Sequence, residues 1–255
     1  MKIVAIGGGE IGRPGHPIET EAIDREIIRL TGKKNPKALL IPTASGDSPL
    51  YWATFQKYYG NRLRCKTDVL HLVVSAHTRQ EIQRRILAAD IIYVGGGNTL
   101  RMMKIWRKCG IDRTLRKAGR KGVVLAGVSA GAICWFKYGN SDSMKFGPKK
   151  SDKLIRIRGT GFLPFMVCPH YNVERSRRPS LRKMIKQKGG LAIALDNCAA
   201  LEVVDDKYRV IISSKKACAY RLFRHRGKAN EEALKTDGNF RLLTELSRQK
   251  RTTKR

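Results

Sequence analysis

A serine flanked by small residues follows a buried-strand pattern in the segment VVLAGVSAGAICWF, Val123 to Phe136. Residues 127–131 read Gly-Val-Ser-Ala-Gly and fit G-x-S-x-G, the pattern of a nucleophile at a sharp strand-to-helix turn. Such a turn projects the serine oxygen above the sheet, where backbone N–H groups favour developing negative charge. The alternative is that small residues only let strand and helix pack closely. We predict that Ser129 is a nucleophile.

A serine nucleophile needs a general base, and the chain offers five histidines. His170 follows the apolar run FMVCP downstream of the serine, and Pro169 restricts the backbone in front of it. This place at a strand end makes His170 the preferred base. The others lie in a strand, before a helix, in a Gly/Pro loop or in a basic cluster: His71, His77, His16 and His225.

The elements that must position these residues alternate along the first half of the chain. KIVAIG, KALLIPTAS, TDVLHLVV, IIYVGGGN and GVVLAGVS read as buried strands, with helical patterns between them. This alternation is typical of a three-layer α/β sandwich with a mostly parallel central sheet, which binds ligands at the carboxyl ends of its strands. Glycine-rich turns fall at three such ends, residues 7–9, 95–97 and 127–131.

The second half of the chain closes the fold differently. YRVIISS and ACAYRLFR are expected to form a C-terminal antiparallel strand pair. We predict a single α/β domain over residues 1–225 and a C-terminal extension over residues 226–255. The tail SRQKRTTKR carries five basic residues in nine and is expected to be disordered.

Composition limits the class of protein. The chain has 255 residues, with 52 Lys and Arg against 21 Asp and Glu, and a net charge of +31. Such a charge attracts nucleic acid, membrane surfaces or small acidic substrates, or it reflects the host's proteome. No apolar run approaches the roughly 20 residues that span a bilayer. With no signal peptide, no CxxC pair and no metal-ligand spacing, we expect a cytoplasmic protein without membrane, metal or cofactor.

Three motifs together resemble the serine peptidase family of aspartyl dipeptidase (peptidase E) and cyanophycinase. They are GGGNTL at 95–100, GVSAGA at 127–132 and CPH at 168–170, and the similarity runs in order from Met1 to about Val204. The resemblance implies a flavodoxin-like, class I glutamine amidotransferase-like fold without a cofactor. Dipeptidase E takes Asp-Xaa dipeptides, and cyanophycinase takes a polymer of β-Asp–Arg units.

The resemblance also implies roles for individual residues. Ser129 is the nucleophile and His170 the general base, while the backbone N–H groups of Gly97 and Ala130 form the oxyanion hole. Asn98 is expected to touch the substrate. An aspartyl carboxylate is best bound by an arginine, and Arg177 matches the family's substrate arginine. The alternative for this basic segment is a solvated helix face.

The third member of the triad stays open at this point. The family usually has an acidic residue in the segment that reads ALDNCAALEV here, where Asn197 occupies that position and Asp196 precedes it. Adjacent strand residues point to opposite faces, so we expect only one of them to reach the histidine. An asparagine can orient a histidine by accepting a hydrogen bond. Asp142 in GNSDS is a third candidate, unless it caps a turn.

The expected function is therefore that of a serine exopeptidase that hydrolyses small acidic peptides with N-terminal aspartate through an acyl-enzyme. The protein is expected to act as a monomer or homodimer. One alternative is a cyanophycinase-like hydrolase of β-aspartyl-arginine peptides. Another is an inactive amidotransferase-like protein that binds nucleic acid through its basic surface, although no RRM, KH, helix-turn-helix or zinc signature appears.

Overall fold

Five strands, four of them mainly apolar, form the parallel part of the larger sheet in the computed structural model, which describes residues 1–147 and 150–247. The four inner strands are almost wholly buried because helices or a second sheet cover both faces, whereas the edge strand is half-exposed. The strands are β1 (Lys2–Ile6), β2 (Lys37–Ile41), β3 (Lys66–Val69), β4 (Ile91–Val94) and β5 (Val124–Val128). They pair in the spatial order β3, β2, β4, β5, β1.

Nine further strands complete two mixed sheets. Three of them extend the first sheet beyond β1 by antiparallel pairing: β10 (Ala199–Val204), β11 (Lys207–Ile212) and β14 (Arg241–Leu242). The other six form a second sheet: β6 (Phe136–Ser141), β7 (Ile155–Arg158), β8 (Leu163–Cys168), β9 (Leu191–Leu195), β12 (Ala219–His225) and β13 (Lys228–Ala233). In it β6, β8 and β9 are parallel and the remaining pairs are antiparallel.

Helices cover these sheets in layers. The helices are α1 (Glu21–Arg29), α2 (Pro49–Phe55), the π-helix Gln56–Arg62, α3 (Arg79–Leu87), α4 (Thr99–Cys109), α5 (Ile111–Arg120), α6 (Ala130–Ile133) and α7 (Arg177–Lys188), with 3₁₀ turns at Thr43–Ser45, Ser143–Phe146 and Leu243–Leu246. Alternate residues of the first sheet pack against α1, α2 and the π-helix on one face, and against α3, α4, α5 and the second sheet on the other. Helix α7 covers the outer face of the second sheet.

The predicted α/β sandwich is confirmed, with differences near the C-terminus. The segments YRVIISS and ACAYRLFR do not pair with each other, because β11 belongs to the first sheet and β12 to the second. The fold also continues past residue 225, since β13 pairs with β12, β14 pairs with β11, and Leu246 is buried. The end of the basic tail, residues 248–255, lies outside the described residues. Over the ranges described, no helix has the length and apolarity that a membrane span needs.

A buried carboxylate of α1 holds the π-helix, which continues α2, against α1. Asp24 accepts hydrogen bonds from Thr20 Oγ1 at 2.6 Å, Tyr58 Oη at 3.1 Å and Tyr59 Oη at 2.5 Å. Burial raises the pKa of Asp24 to about 6. Tyr51 of α2, the helix that leads into the π-helix, lines the cavity described below.

Candidate active site

Ser129 lies in the sharp turn between β5 and α6, as its motif predicts. Its backbone angles are φ 56° and ψ −109°, a conformation that costs a non-glycine residue about 1–3 kcal/mol. The turn is held by a hydrogen bond from Ser129 N to Ile6 O at 3.0 Å. The backbones pack closely here, because a Cβ on Gly131 would lie 2.0 Å from the carbonyl oxygen of Val94. The helix that follows is only one turn long.

His170 connects the serine to an asparagine. Its Nε2 lies 2.8 Å from Ser129 Oγ, and its Nδ1 lies 2.8 Å from Asn197 Oδ1. An amide oxygen only accepts hydrogen bonds. Nδ1 therefore carries the proton and donates a hydrogen bond to Asn197 Oδ1. Nε2 is then the free acceptor for the serine proton. The histidine also has a positive φ of 54°, and its backbone N–H donates to Gly7 O at 3.0 Å.

The surroundings of His170 keep the imidazole neutral. Burial lowers its pKa below the usual value, against the raising effect of the hydrogen bond with Asn197. A neutral imidazole at pH 7 is the form that can accept a proton from serine. The arrangement therefore supplies a ready base without a carboxylate in contact with the ring.

The structure distinguishes the three candidates for the residue behind His170. Only Asn197 contacts the imidazole; its own N–H donates to Asn172 Oδ1 at 2.9 Å. The buried carboxylate of Asp196 instead accepts from Cys218 N at 2.9 Å, and burial raises its pKa. Asp142 forms no hydrogen bond or ion pair with the histidine and lies 3.6 Å from a guanidinium of α7. Asn172 was not found from the sequence, which gives no signal for it.

The first glycine-rich turn packs directly against this pair of side chains. A Cβ on Gly8 would lie 2.1 Å from Asn197 Oδ1 and 2.5 Å from His170 Nδ1. Real Cβ atoms do not approach so closely, so the hydrogen bond between the two side chains requires glycine at this position. The sequence shows the turn at a strand end but not this contact.

The two expected oxyanion donors belong to the second and third glycine-rich turns, residues 95–97 and 127–131. The N–H groups of Gly97 and Ala130 have no acceptor within the described part of the chain. Gly97 has φ +133°, and a Cβ there would meet the backbone of Ala44 at 2.4 Å rather than a substrate. Its neighbour Gly96 lines the cavity, and Gly96 N donates to Tyr51 Oη at 3.3 Å.

The two expected substrate contacts are placed elsewhere. Asn98 caps α4, where its Oδ1 accepts from Arg101 N at 3.0 Å, and it does not line the cavity. Arg177 is 1% exposed and does not line the cavity either. Its guanidinium donates to Glu174 at 2.8 Å and to Asn140 O at 2.7 Å. A helix cap and a buried ion pair therefore take up the two side chains.

A cavity of about 430 Å³ opens above Ser129, His170 and Asn197. Its charged lining comes from one loop, residues 9–19, which the sequence analysis did not single out. Glu10, Arg13 and Glu19 lie there, with Arg13 Nη2 2.9 Å from Glu10 Oε1, and Glu10 N donating to Glu19 Oε2 at 3.0 Å. Two carboxylates and one guanidinium thus line the cavity of a strongly basic chain. Within residues 1–147 and 150–247, the cavity included, no cluster of His, Cys, Asp or Glu side chains suits a metal ion.

Comparison with known proteins places this geometry in a family. Residues 3–211 match the model of Peptidase family S51. The uncharacterized peptidase YgaJ of Bacillus subtilis strain 168 is 36% identical over 225 residues, which cover 87% of this chain and 91% of that protein. A protein named peptidase E from Streptomyces coelicolor is 27% identical over 157 residues, 58% of this chain and 60% of that protein.

A solved structure agrees with the fold. The crystal structure of a peptidase from an acI-B1 actinobacterium matches with a TM-score of 0.70 at 20% identity, over 94% of this chain and 96% of that chain. At this identity the likeness concerns the fold alone. The family match extends over most of the sequence, however, and includes the serine turn and the histidine. The chain therefore belongs to peptidase family S51 and is a serine-type peptidase.

Proposed function

We propose that the protein is an exopeptidase that hydrolyses short peptides with an N-terminal aspartate through an acyl-enzyme on Ser129. The observation that carries this proposal is the hydrogen-bonded series Ser129 Oγ, His170 Nε2, His170 Nδ1 and Asn197 Oδ1 at the floor of the cavity. A hydroxyl, an imidazole and an amide in this order match a nucleophile, its general base and the group that orients the base.

The reaction follows from that order. Ser129 Oγ attacks the carbonyl carbon after the aspartyl residue and gives its proton to His170 Nε2. The N–H groups of Gly97 and Ala130 stabilise the oxyanion, for which they have no competing acceptor in the described residues. His170 then protonates the leaving amine, and water attacks the acyl-enzyme with the same base. Asn197 holds the imidazole in the tautomer that both steps need.

The cavity supplies opposite charges for an aspartyl residue. We assign Arg13, rather than Arg177, to the side-chain carboxylate, because Arg13 is the basic residue that lines the cavity. Glu19 is assigned to the α-ammonium group of the substrate. Its Oε2 accepts from Glu10 N, whereas its Oε1 has no partner in the described ranges. A closed set of contacts at the substrate's N-terminus is what an exopeptidase requires.

A second candidate is hydrolysis of β-aspartyl-arginine peptides. The specific observation in its favour is that two carboxylates, Glu10 and Glu19, line the cavity. A guanidinium binds well to carboxylates in bidentate geometry. In this case the arginine side chain of the substrate, rather than its α-ammonium group, faces Glu19.

Hydrolysis of Asp-p-nitroanilide tests the proposal, with Leu- and Arg-p-nitroanilides and a β-Asp-Arg dipeptide alongside. We expect release from the aspartyl substrate and a loss of at least about 10⁴-fold in kcat for Ser129→Ala. Release of free arginine from the β-Asp-Arg dipeptide, with no p-nitroaniline from the other substrates, supports the second candidate. Hydrolysis that survives in Ser129→Ala contradicts the mechanism.

Arg13→Gln tests the assignment of substrate charge. We expect kcat/KM for the aspartyl substrate to fall about 10- to 100-fold, with little change for the leucyl substrate. Arg25→Gln is the matched control, because Arg25 also pairs with a glutamate on the surface but lies outside the cavity. Equal losses in the two variants, or on the two substrates, contradict a role for Arg13 in specificity.

A further inference from the structure

We propose that helix α5 and its neighbours form a second binding surface, which holds the phosphate backbone of a single-stranded nucleic acid. Five basic residues recur along α5 and into its C-cap at spacings of three and four, so they share one face of the helix. They are Arg113, Arg116, Lys117, Arg120 and Lys121. Together with Asp112 they line a groove of about 470 Å³.

The basic surface continues beyond this groove. A second groove of about 580 Å³ shares Asp112, Arg113 and Lys117 with the first and runs between α5, the end of α4 and the start of α3. It adds three further cations, Arg79, Arg107 and Lys108. The two grooves therefore form one continuous surface with eight basic side chains. It shares no residue with the catalytic cavity.

The charge on this surface is not compensated within the described protein. Within the described residues, none of the five cations on the α5 face has a carboxylate within 4.0 Å, whereas Arg209, for example, pairs with both Glu26 and Glu202. Arg116 donates to Thr160 O and lies over the ring of Phe162, which leaves its charge unpaired. Like charges one turn apart destabilise a helix, so an external anion would relieve a repulsion that the fold leaves in place.

The shape and chemistry favour a phosphate chain over a membrane. A helix that binds a lipid surface needs an apolar face that enters the bilayer. No large apolar side chain is exposed on α3 or α5 in the described structure. A groove with many Lys and Arg side chains instead suits contacts to successive phosphates, which position a nucleic acid without reading its sequence.

Binding of a 5′-labelled 20-nucleotide single-stranded RNA, followed by fluorescence anisotropy between 50 and 200 mM salt, tests this proposal. The variant Arg113→Gln/Lys117→Gln/Arg120→Gln is compared with the control variant Lys215→Gln/Lys216→Gln/Lys235→Gln. The control removes three exposed positive charges that lie outside both grooves. We expect the α5 variant to bind at least about 10-fold more weakly and to lower the salt slope by about 2, at about 0.7 per lost phosphate contact. The control variant is expected to stay within about two-fold of the wild type.

Further arms identify the ligand class and verify the fold. Single-stranded DNA and inorganic polyphosphate are expected to compete with the RNA, because the phosphates are what is bound. Thermal unfolding by circular dichroism is expected at the same or a slightly higher temperature in the α5 variant, since the lost charges repel one another. The proposal is overturned by no binding at micromolar protein in 50 mM salt, by equal losses in the two triple variants, or by binding to phosphatidylserine vesicles but not to RNA. None of these readouts depends on peptidase activity.

Discussion

Two clusters of polar side chains meet at the loop that follows β8, residues 169–176, and they differ in charge. On one side the imidazole of His170 lies between Ser129 and Asn197, and no formal charge touches the ring. On the other side the buried guanidinium of Arg177 lies 2.8 Å from Glu174 and 3.6 Å from Asp142. Neutral groups orient the ring, and charged groups hold the loop that carries it.

The charged cluster connects the loop to the second sheet. Glu174 N donates to His170 O at 3.2 Å, and Arg177 Nη1 donates to Asn140 O of β6 at 2.7 Å. Burial alone would raise the pKa of Glu174, but the hydrogen bond and charge of Arg177 lower it overall. The carboxylate therefore stays ionised, and the ion pair acts on the position of the histidine through the backbone. Stability should depend mainly on this cluster and turnover mainly on the neutral one.

The largest expected effect is on stability, in Arg177→Met. Removal of the guanidinium leaves two partly buried carboxylates without their partner, which costs about 3–5 kcal/mol of unfolding free energy. Urea denaturation at pH 7 measures this loss. Arg178→Met is the control, because Arg178 is half-exposed and its partner Glu231 keeps Arg182; we expect a change below about 1 kcal/mol. Similar losses of unfolding free energy in the two variants would mean that the buried ion pair stabilises the fold no more than the half-exposed one.

The next effect is on turnover, in Gly8→Ala. The new methyl group would overlap Asn197 Oδ1 and His170 Nδ1, so it must separate the two side chains. We expect kcat to fall about 100-fold or more, equivalent to about 2.7 kcal/mol in the barrier, with a smaller change in KM. Gly147→Ala is the control, since the closest atom to its Cβ lies at 3.6 Å. A Gly8→Ala enzyme with normal kcat would show that the contact with Asn197 is dispensable.

The sequence predicted the first sheet better than the second. Strands β1, β2, β4 and β5 are continuous apolar runs bounded by turn residues, and such runs need no information from elsewhere in the chain. By contrast, FKYGNS and IRIR become β6 and β7 through pairing with distant partners. The apolar residues after Ser129 read as a helix, but α6 ends at Ile133 and the chain enters β6 at Phe136.

The site was predictable where a motif carries it. The serine turn and the strand-end histidine have local signatures, and the structure brings these two residues together. The choice between Asn197 and Asp196 depends on backbone direction after β9, where Cys198 adopts φ 63°. The cavity charges of Glu10, Arg13 and Glu19 depend on how one loop folds over the site. Neither feature leaves a pattern in the sequence.

Asn197→Ala tests the orienting hydrogen bond with a smaller expected effect. The variant removes one acceptor from His170 Nδ1 without adding bulk, so the imidazole loses its fixed tautomer and orientation. We expect kcat to fall about 10- to 100-fold, the equivalent of one hydrogen bond of about 1.4–2.7 kcal/mol. Asn172→Ala acts one step further away, on the backbone of Asn197, and should lower kcat less. The reverse order would make Asn172 the more important positioning residue.

The smallest effect is on the pH profile, in Asn197→Asp. Burial lowers the pKa of His170, so wild-type kcat/KM should persist as the pH falls below about 6.5 and be lost only as the ring becomes protonated. A carboxylate at position 197 favours the imidazolium and raises the pKa of His170. The acid limb of kcat/KM, measured from pH 4.5 to 8, should therefore move to higher pH in the variant. If the acid limb stays at the same pH in the variant, a group other than His170 controls it. The neutral contact with Asn197 would then not determine the pH dependence of the enzyme.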